Sequence, residues 1–206
     1  MAKLQTTRDV MRHILPYIRG RTVDVGAGTA KYKGLIATRA SDYVAFDMHP
    51  GPHIDAVGDI ESLPFPDGAF DTVICNQVLE HVSHPWLVVR ELYRVAKPGG
   101  VCVLTAPFLA AFHKDPEDYF RYTHDGLVSI FRDAGFIILE SDVYTPLWTT
   151  IVQFIEFAYF SPYERRVGRM GERFLRFLLL VAKFLDRYFS KRHLIYGNSY
   201  IIAKKT

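Results

Sequence analysis

The sequence predicts an α/β fold, a seven-stranded and mostly parallel sheet covered by helices, with the last strand antiparallel. Three observations predict it. Apolar runs of strand length alternate with amphipathic stretches of helix length along the chain. The first run, TVDVG at 22–26, leads straight into a glycine turn. Acids stand at or near the ends of the first three runs, at Asp24, Asp47 and Asp59.

The elements follow in order. TTRDVMRHILPYI reads as a lead-in helix ending near Pro16. The strand at 22–26 passes through Gly26 and Gly28 into a helix starting near Thr29, and YVAFD (43–47), IDAVGD (54–59) and FDTVICN (70–76) supply the next three strands. SHPWLVVRELYRVAKPGG offers Ser83 as N-cap, Pro85 in the first turn and an apolar face of Leu87, Val88, Leu92 and Val95, with a stop at Pro98-Gly99-Gly100. GVCVLTAP (100–107) is the fifth strand. THDGLVSIFRDAGF repeats the helical scheme with Thr123 as cap and Gly135 as the C-terminal glycine. FIILESDVY (136–144) and NSYIIAKK (198–205) complete the sheet.

A chain of 206 residues with 49% hydrophobic content suits a single domain over 1–206 with a sizeable core. A formal charge of +3 is only mildly basic, and no Lys/Arg stripe marks the first two thirds, so nucleic acid is not an expected partner. Cys75 and Cys102 sit inside apolar runs and read as reduced core thiols, consistent with a cytoplasmic setting. The N-terminal MAKLQTTRDVMRH lacks the apolar segment of a secretory signal, and no run reaches the roughly 18 apolar residues of a membrane span.

In open α/β sheets ligands bind beyond the carboxyl ends of the strands, where the strand order reverses. Gly26, Ala27, Gly28 and Thr29 are therefore the expected ligand floor, because glycine tolerates positive φ and close backbone approach. Asp24 decides between ligand classes. A buried carboxylate beside the ligand repels pyrophosphate and holds an ammonium. Ala30 and Lys31 stand where a dinucleotide fingerprint would have its third glycine, which argues against an NAD-type oxidoreductase. Asp47 can accept from ribose hydroxyls and Asp59 from an adenine amine. Three acids at three successive strand ends suit a nucleoside with a cationic tail and no phosphate.

VDVGAGTA, the acid of AFDMHP, GDIESLPFPDGAFDTVICNQVLEHV and ELYRVAKPGGVCVLTAP, in this order and spacing, resemble the class I S-adenosylmethionine-dependent methyltransferases, most closely their small-molecule type 11 branch. The resemblance spans roughly residues 20–145 and implies a Rossmann-like three-layer sandwich and S-adenosylmethionine as cofactor. It implies that Asp24, Gly26 and Gly28 surround the methionine end of the cofactor and that Asp47 takes the ribose. Met48 would pack on the adenine, Asp59 with Ile60 would hold its edge, and Asn76 with Gln77 would close over the methionine portion. No metal is expected from it.

Transfer to a hydroxyl requires alignment, exclusion of water and removal of a proton. The segment FLAAFHKDPEDYFRYTHDG gathers the polar and aromatic groups for this, with His113 as the expected general base. Asp118, Tyr119, Arg121 and Tyr122 are expected to bind the acceptor, with Arg121 alternatively paired to Asp118, and His81 to wall the site. The acceptor is expected to be small or lipid-linked, a glycan among the options, with oxygen as the methylated atom. A non-catalytic, membrane-associated cofactor-binding protein is the alternative from another class.

The stretch 146–196, before the last strand, is a helical insertion within the domain. LWTTIVQFIEFAYF and RFLRFLLLVAKFLDRYF have broad apolar faces, and between Ser161 and His193 nine Lys or Arg face three Asp or Glu. Basic residues beside an apolar helix face suit peripheral contact with an anionic membrane through 147–190. A lid or a homodimer interface would use the same face.

Overall fold

The computed structural model describes residues 4–160, 168–189 and 194–206. The segments 161–167 and 190–193 of the expected insertion lie outside the described residues.

The elements in chain order are α1 (Thr7–His13), β1 (Arg21–Val25), α2 (Lys33–Ile36), β2 (Asp42–Asp47), β3 (Ala56–Val57), β4 (Phe70–Asn76) and α3 (Pro85–Val95). They continue with β5 (Ala96–Pro107), α4 (His124–Asp133), β6 (Phe136–Pro146), α5 (Leu147–Phe160), α6 (Arg169–Phe189) and β7 (Tyr196–Lys205). The sheet is open, with strand order β3-β2-β1-β4-β5-β7-β6. β1 pairs in parallel with β2 on one side and β4 on the other, so that Asp24 lies between Ala45 and Ile74. Only β7 runs antiparallel, to β5 and to β6. The order reverses between β1 and β4, which places a crevice at their carboxyl ends.

The sheet is buried on both faces. One core layer joins Phe46, Phe70 and Leu104 of the sheet to Leu92 of α3 and Phe131 of α4. The other joins Ile74 and Tyr144 of the sheet to Val10, Met11 and Ile14 at α1 and Ile36 of α2. Each such side chain contributes about 1.5–3 kcal/mol on leaving water. Cys75 and Cys102 are buried free thiols in this core, as their apolar surroundings predict.

Several local expectations change. The helix after the glycine turn is only Lys33–Ile36, not a helix from Thr29, because Ala30 adopts φ +51 and keeps the chain in turns. The third strand shrinks to Ala56–Val57, and a turn follows in which the Ser62 amide donates to the Asp59 carbonyl. Ser83 is not the N-cap of α3. His84 occupies that position, and the Ser83 hydroxyl instead lies 3.3 Å from Glu61 and 3.0 Å from His84 Nδ1. That helix ends at Val95, before Pro98-Gly99-Gly100, because Ala96 is already extended at ψ 140. Thr123 and Gly135 act as foreseen: the Thr123 hydroxyl accepts from the Gly126 amide, and Gly135 has φ +99.

The two helices between β6 and β7 pack against each other through a buried acid. Asp186 of α6, fully buried, accepts from the Trp148 and Thr149 amides at 2.9 Å and from the Thr149 hydroxyl at 2.7 Å. The carboxylate thus caps the N-terminus of α5, where the helix dipole favours negative charge. Among the described residues, no helix is long and apolar enough to cross a membrane.

Candidate active site

The crevice at the switch between β1 and β4 is built by the glycine turn on one side and the end of β4 on the other. Gly26 has φ +73 and Gly28 φ +55, both in the left-handed region. A Cβ on Gly26 would lie 2.3 Å from Val78 Cγ2, so glycine lets the turn close against the segment that follows β4. A Cβ on Gly28 would meet nothing within 4 Å. That open space borders the turn where a ligand is expected.

Asp24 is buried in β1, and the Tyr43 hydroxyl donates to its Oδ2 at 2.8 Å. Burial pushes its carboxyl up to about 6, opposed in part by the Tyr43 hydrogen bond. A carboxylate that is costly to ionise is suited to a cationic ligand group, which offsets that cost. At the tip of β2, Asp47 Oδ2 accepts from the Gly28 amide at 2.8 Å and Oδ1 from the His49 amide at 3.1 Å. Met48, 53% exposed, projects beyond it. Asp59 stands after β3 and accepts from the Glu61 amide at 2.8 Å, with half-buried Ile60 packed against the core. The capping roles of Asp47 and Asp59 are structural in themselves. Each oxygen keeps a further lone pair for a ligand.

Across the crevice, the Thr105 hydroxyl donates to Asn76 Oδ1 at 2.7 Å and accepts from Gln77 Nε2 at 3.1 Å. Gln77 sits at φ +55, held by the hydrogen bond its backbone amide donates to the Thr105 carbonyl at 3.0 Å. Asp24, Gly26, Ala27, Gly28, Asp47, Met48, Asp59, Ile60, Asn76 and Gln77 therefore all lie at or just beyond the carboxyl ends of four neighbouring strands.

The acceptor side is more selective. Asp118 and Arg121 form a two-pronged ion pair, and Arg121 also donates to the Ala110, Ala111 and Phe120 carbonyls. The guanidinium holds the Asp118 carboxyl down at about 2. This pair braces the loop, the alternative the sequence left open for Arg121. Tyr122, expected at the acceptor, is a core residue: it is 6% exposed and its hydroxyl donates to the Leu79 carbonyl at 2.8 Å. Tyr119 is exposed. His81 and His113 come together, with ring centroids 5.0 Å apart and planes at 83°. The ring of Phe157 from α5 lies 6.5 Å from that of His113.

The family model described as a methyltransferase domain matches residues 23–104, the span from β1 through the middle of β5. Over that span the chain is similar to the methyltransferase domain family. An uncharacterized methyltransferase from Mycobacterium sp. (strain JLS) is 40% identical over 42% of this chain and 38% of its own length. A demethylmenaquinone methyltransferase from Anoxybacillus flavithermus is 35% identical over 45% of this chain and 52% of its own. The chain thus spans about two fifths to one half of the length of these curated relatives. A SAM-dependent methyltransferase structure from Archaeoglobus fulgidus superposes with a TM-score of 0.64 at 16% identity, covering 95% of this chain and 91% of the other, a likeness of fold.

The open space at Gly28, the high-lying carboxyl of Asp24 and the exposed thioether of Met48 fit S-adenosylmethionine. Three residues of the site were missed from sequence. Tyr43 and Thr105 read as ordinary strand residues, and nothing in the local pattern marks them. Glu80 did carry a signal, an acid inside the apolar run VLEHV. It is 1% exposed, and burial pushes its carboxyl up to about 8.

Proposed function

We propose that the chain transfers the methyl group of S-adenosylmethionine to a small or lipid-linked acceptor, at oxygen. The observation that carries the reading is the convergence of Asp24, the Gly26–Gly28 turn, Asp47 and Asn76 on one crevice at the strand-order switch. Bound there, the cofactor supplies a methyl group already activated by its positive sulfur. The chain has to hold, orient and shield.

Asp24 supplies the negative charge for the ammonium, Asp47 accepts from the ribose hydroxyls, and Asp59 with Ile60 receives the adenine edge. Met48 covers the adenine face. Thr105 fixes the Asn76 side chain, and Asn76 and Gln77 bound the methionine portion. Orientation of this kind converts an encounter into an aligned displacement, which is the largest contribution available when the leaving group is already activated. His113 stands at the acceptor side with Nδ1 2.9 Å from the Ala111 carbonyl. Because a carbonyl only accepts, Nδ1 carries the hydrogen and Nε2 presents a lone pair able to take an acceptor proton.

The lipid-linked acceptor is favoured by α5 and α6. Phe157 brings the apolar face of α5 to His113, and α6 leaves an apolar stripe exposed. Demethylmenaquinone is the acceptor in the name of the Anoxybacillus relative, and an acceptor of comparable apolar character suits these helices. The deciding experiment supplies radiolabelled S-adenosylmethionine and the protein to a cell extract and partitions the product. Label in the organic phase is expected. Label confined to water-soluble products would remove the lipid-linked acceptor, and tight cofactor binding with no label transferred to any fraction would leave a binding protein without turnover.

A further inference from the structure

Glu80, His81 and His113 form a cluster that the cofactor reading does not use. Glu80 and His81 lie in the short turn that follows β4, and His113 in the loop that follows β5. One ligand-capable atom from each lies within 4.8 Å of the others. The Glu80 carboxylate is buried, its Oε1 is 3.8 Å from His81 Nε2, and its Oε2 has no hydrogen-bond partner among the described residues. A buried carboxylate oxygen without a partner is costly, and a cation is one way to remove the cost.

The two imidazoles are prepared in the same way. His81 Nδ1 lies 2.5 Å from the Glu117 carbonyl, and His113 Nδ1 lies 2.9 Å from the Ala111 carbonyl. Both carbonyls can only accept, so both Nδ1 atoms carry hydrogen and both Nε2 atoms keep a lone pair. Backbone carbonyls fixing the tautomer from behind are the usual support of metal-bound histidine. The nearby Arg121 guanidinium is committed to Asp118 and does not neutralise Glu80 by direct contact among the described residues.

We propose that Glu80, His81 and His113 bind one divalent transition-metal cation, in the zinc, cobalt or manganese class. Two imidazoles and one carboxylate suit these ions better than calcium or magnesium. Ligand atoms at about 2.0–2.2 Å from such a cation stand closer together than they do here, so the rings move inward on binding. Three protein ligands leave positions open, as in catalytic rather than structural sites. Resting on the methyl-transfer reading, an open position would take the acceptor oxygen and lower the pKa of its hydroxyl. His113 would then be a ligand rather than the general base, and the hydroxyl proton would pass to solvent water.

The test titrates the chelator-treated, dialysed full chain with Co2+, following d–d absorbance, with Zn2+ as competitor. One equivalent is expected to bind, Zn2+ is expected to displace it, and Glu80→Gln, His81→Gln and His113→Gln are each expected to weaken binding at least about tenfold. Circular dichroism of each variant checks the fold. No Co2+ absorbance with the parent chain, or absorbance unchanged in folded His81→Gln and His113→Gln, would overturn the site. The readout is the cation's own spectrum, so failure of methyl transfer would not mimic failure of metal binding.

Discussion

The Asp47 carboxylate accepts a hydrogen bond from the Gly28 amide at 2.8 Å, tying the tip of β2 to the glycine turn after β1. One acid therefore shapes the crevice and is available to a ligand in it. Asp47→Ala is expected to lower cofactor affinity by about 1–3 kcal/mol and folding stability by about 1 kcal/mol. Asp47→Asn keeps an oxygen for the turn and should restore stability without restoring affinity. Thermal melts with isothermal titration of S-adenosylmethionine separate the two effects, and unchanged affinity in Asp47→Ala would remove the ribose role.

Gly26 and Gly28 should respond differently to the same methyl group. Gly26→Ala combines positive φ with a 2.3 Å collision against Val78 and is expected to cost about 2–4 kcal/mol of stability. Gly28→Ala meets no atom within 4 Å and should cost only about 1 kcal/mol, from its positive φ. Its Cβ nevertheless enters the space assigned to the cofactor, so affinity should fall more than stability does. Urea unfolding beside cofactor titration checks both, and a Gly28→Ala protein with parental affinity would move the cofactor away from the turn.

Most strands were legible because they are short apolar runs, several of them closed by glycine, proline or an acid, a signal contained in a few adjacent residues. TVDVG and FDTVICN lie within a residue of β1 and β4. The crevice was legible for the same reason, since its acids sit at strand ends. What stayed hidden depends on distant neighbours. Nothing local says that Tyr122 turns inward to Leu79, that Thr105 bridges Asn76 and Gln77, or that Asp186 caps a helix that begins at Leu147. Ser83 was a fair cap by type, but Glu61 and His84 compete for its hydroxyl.

Asp24 makes both stability and binding depend on pH. Burial raises its carboxyl from an ordinary 3.8 to about 6, so the folded chain holds the proton more tightly than the unfolded chain does. Stability from this group is fully present below about pH 4 and is lost as pH rises through about 6, a cost on the order of 3 kcal/mol above that. Asp24→Asn, whose side-chain oxygen can still accept from Tyr43, should be more stable than the parent above pH 6 and equal to it near pH 4. Cofactor affinity should show the opposite trend. An ammonium favours the ionised carboxylate, so parental affinity should rise between pH 5 and 7 while Asp24→Asn stays weak throughout. A flat parental profile would place the ammonium elsewhere.

The last expectation concerns α6. Leu175, Ala182 and Asp186 face inward, while Phe174, Phe177, Val181, Phe184 and Tyr188 lie exposed at helical spacing along the opposite side. Arg173, Arg176, Lys183 and Arg187 are exposed beside that stripe. Apolar residues flanked by cations in this way suit the headgroup boundary of an anionic bilayer, where buried area and charge attraction add. The chain should co-sediment with anionic vesicles, less with zwitterionic ones, and less as salt rises. Phe177→Ser with Phe184→Ser should abolish sedimentation without loss of fold, since both side chains are already exposed. Failure of the parent to bind anionic vesicles, together with a concentration-dependent dimer lost in the same double variant, would assign the stripe to a second copy of the chain instead.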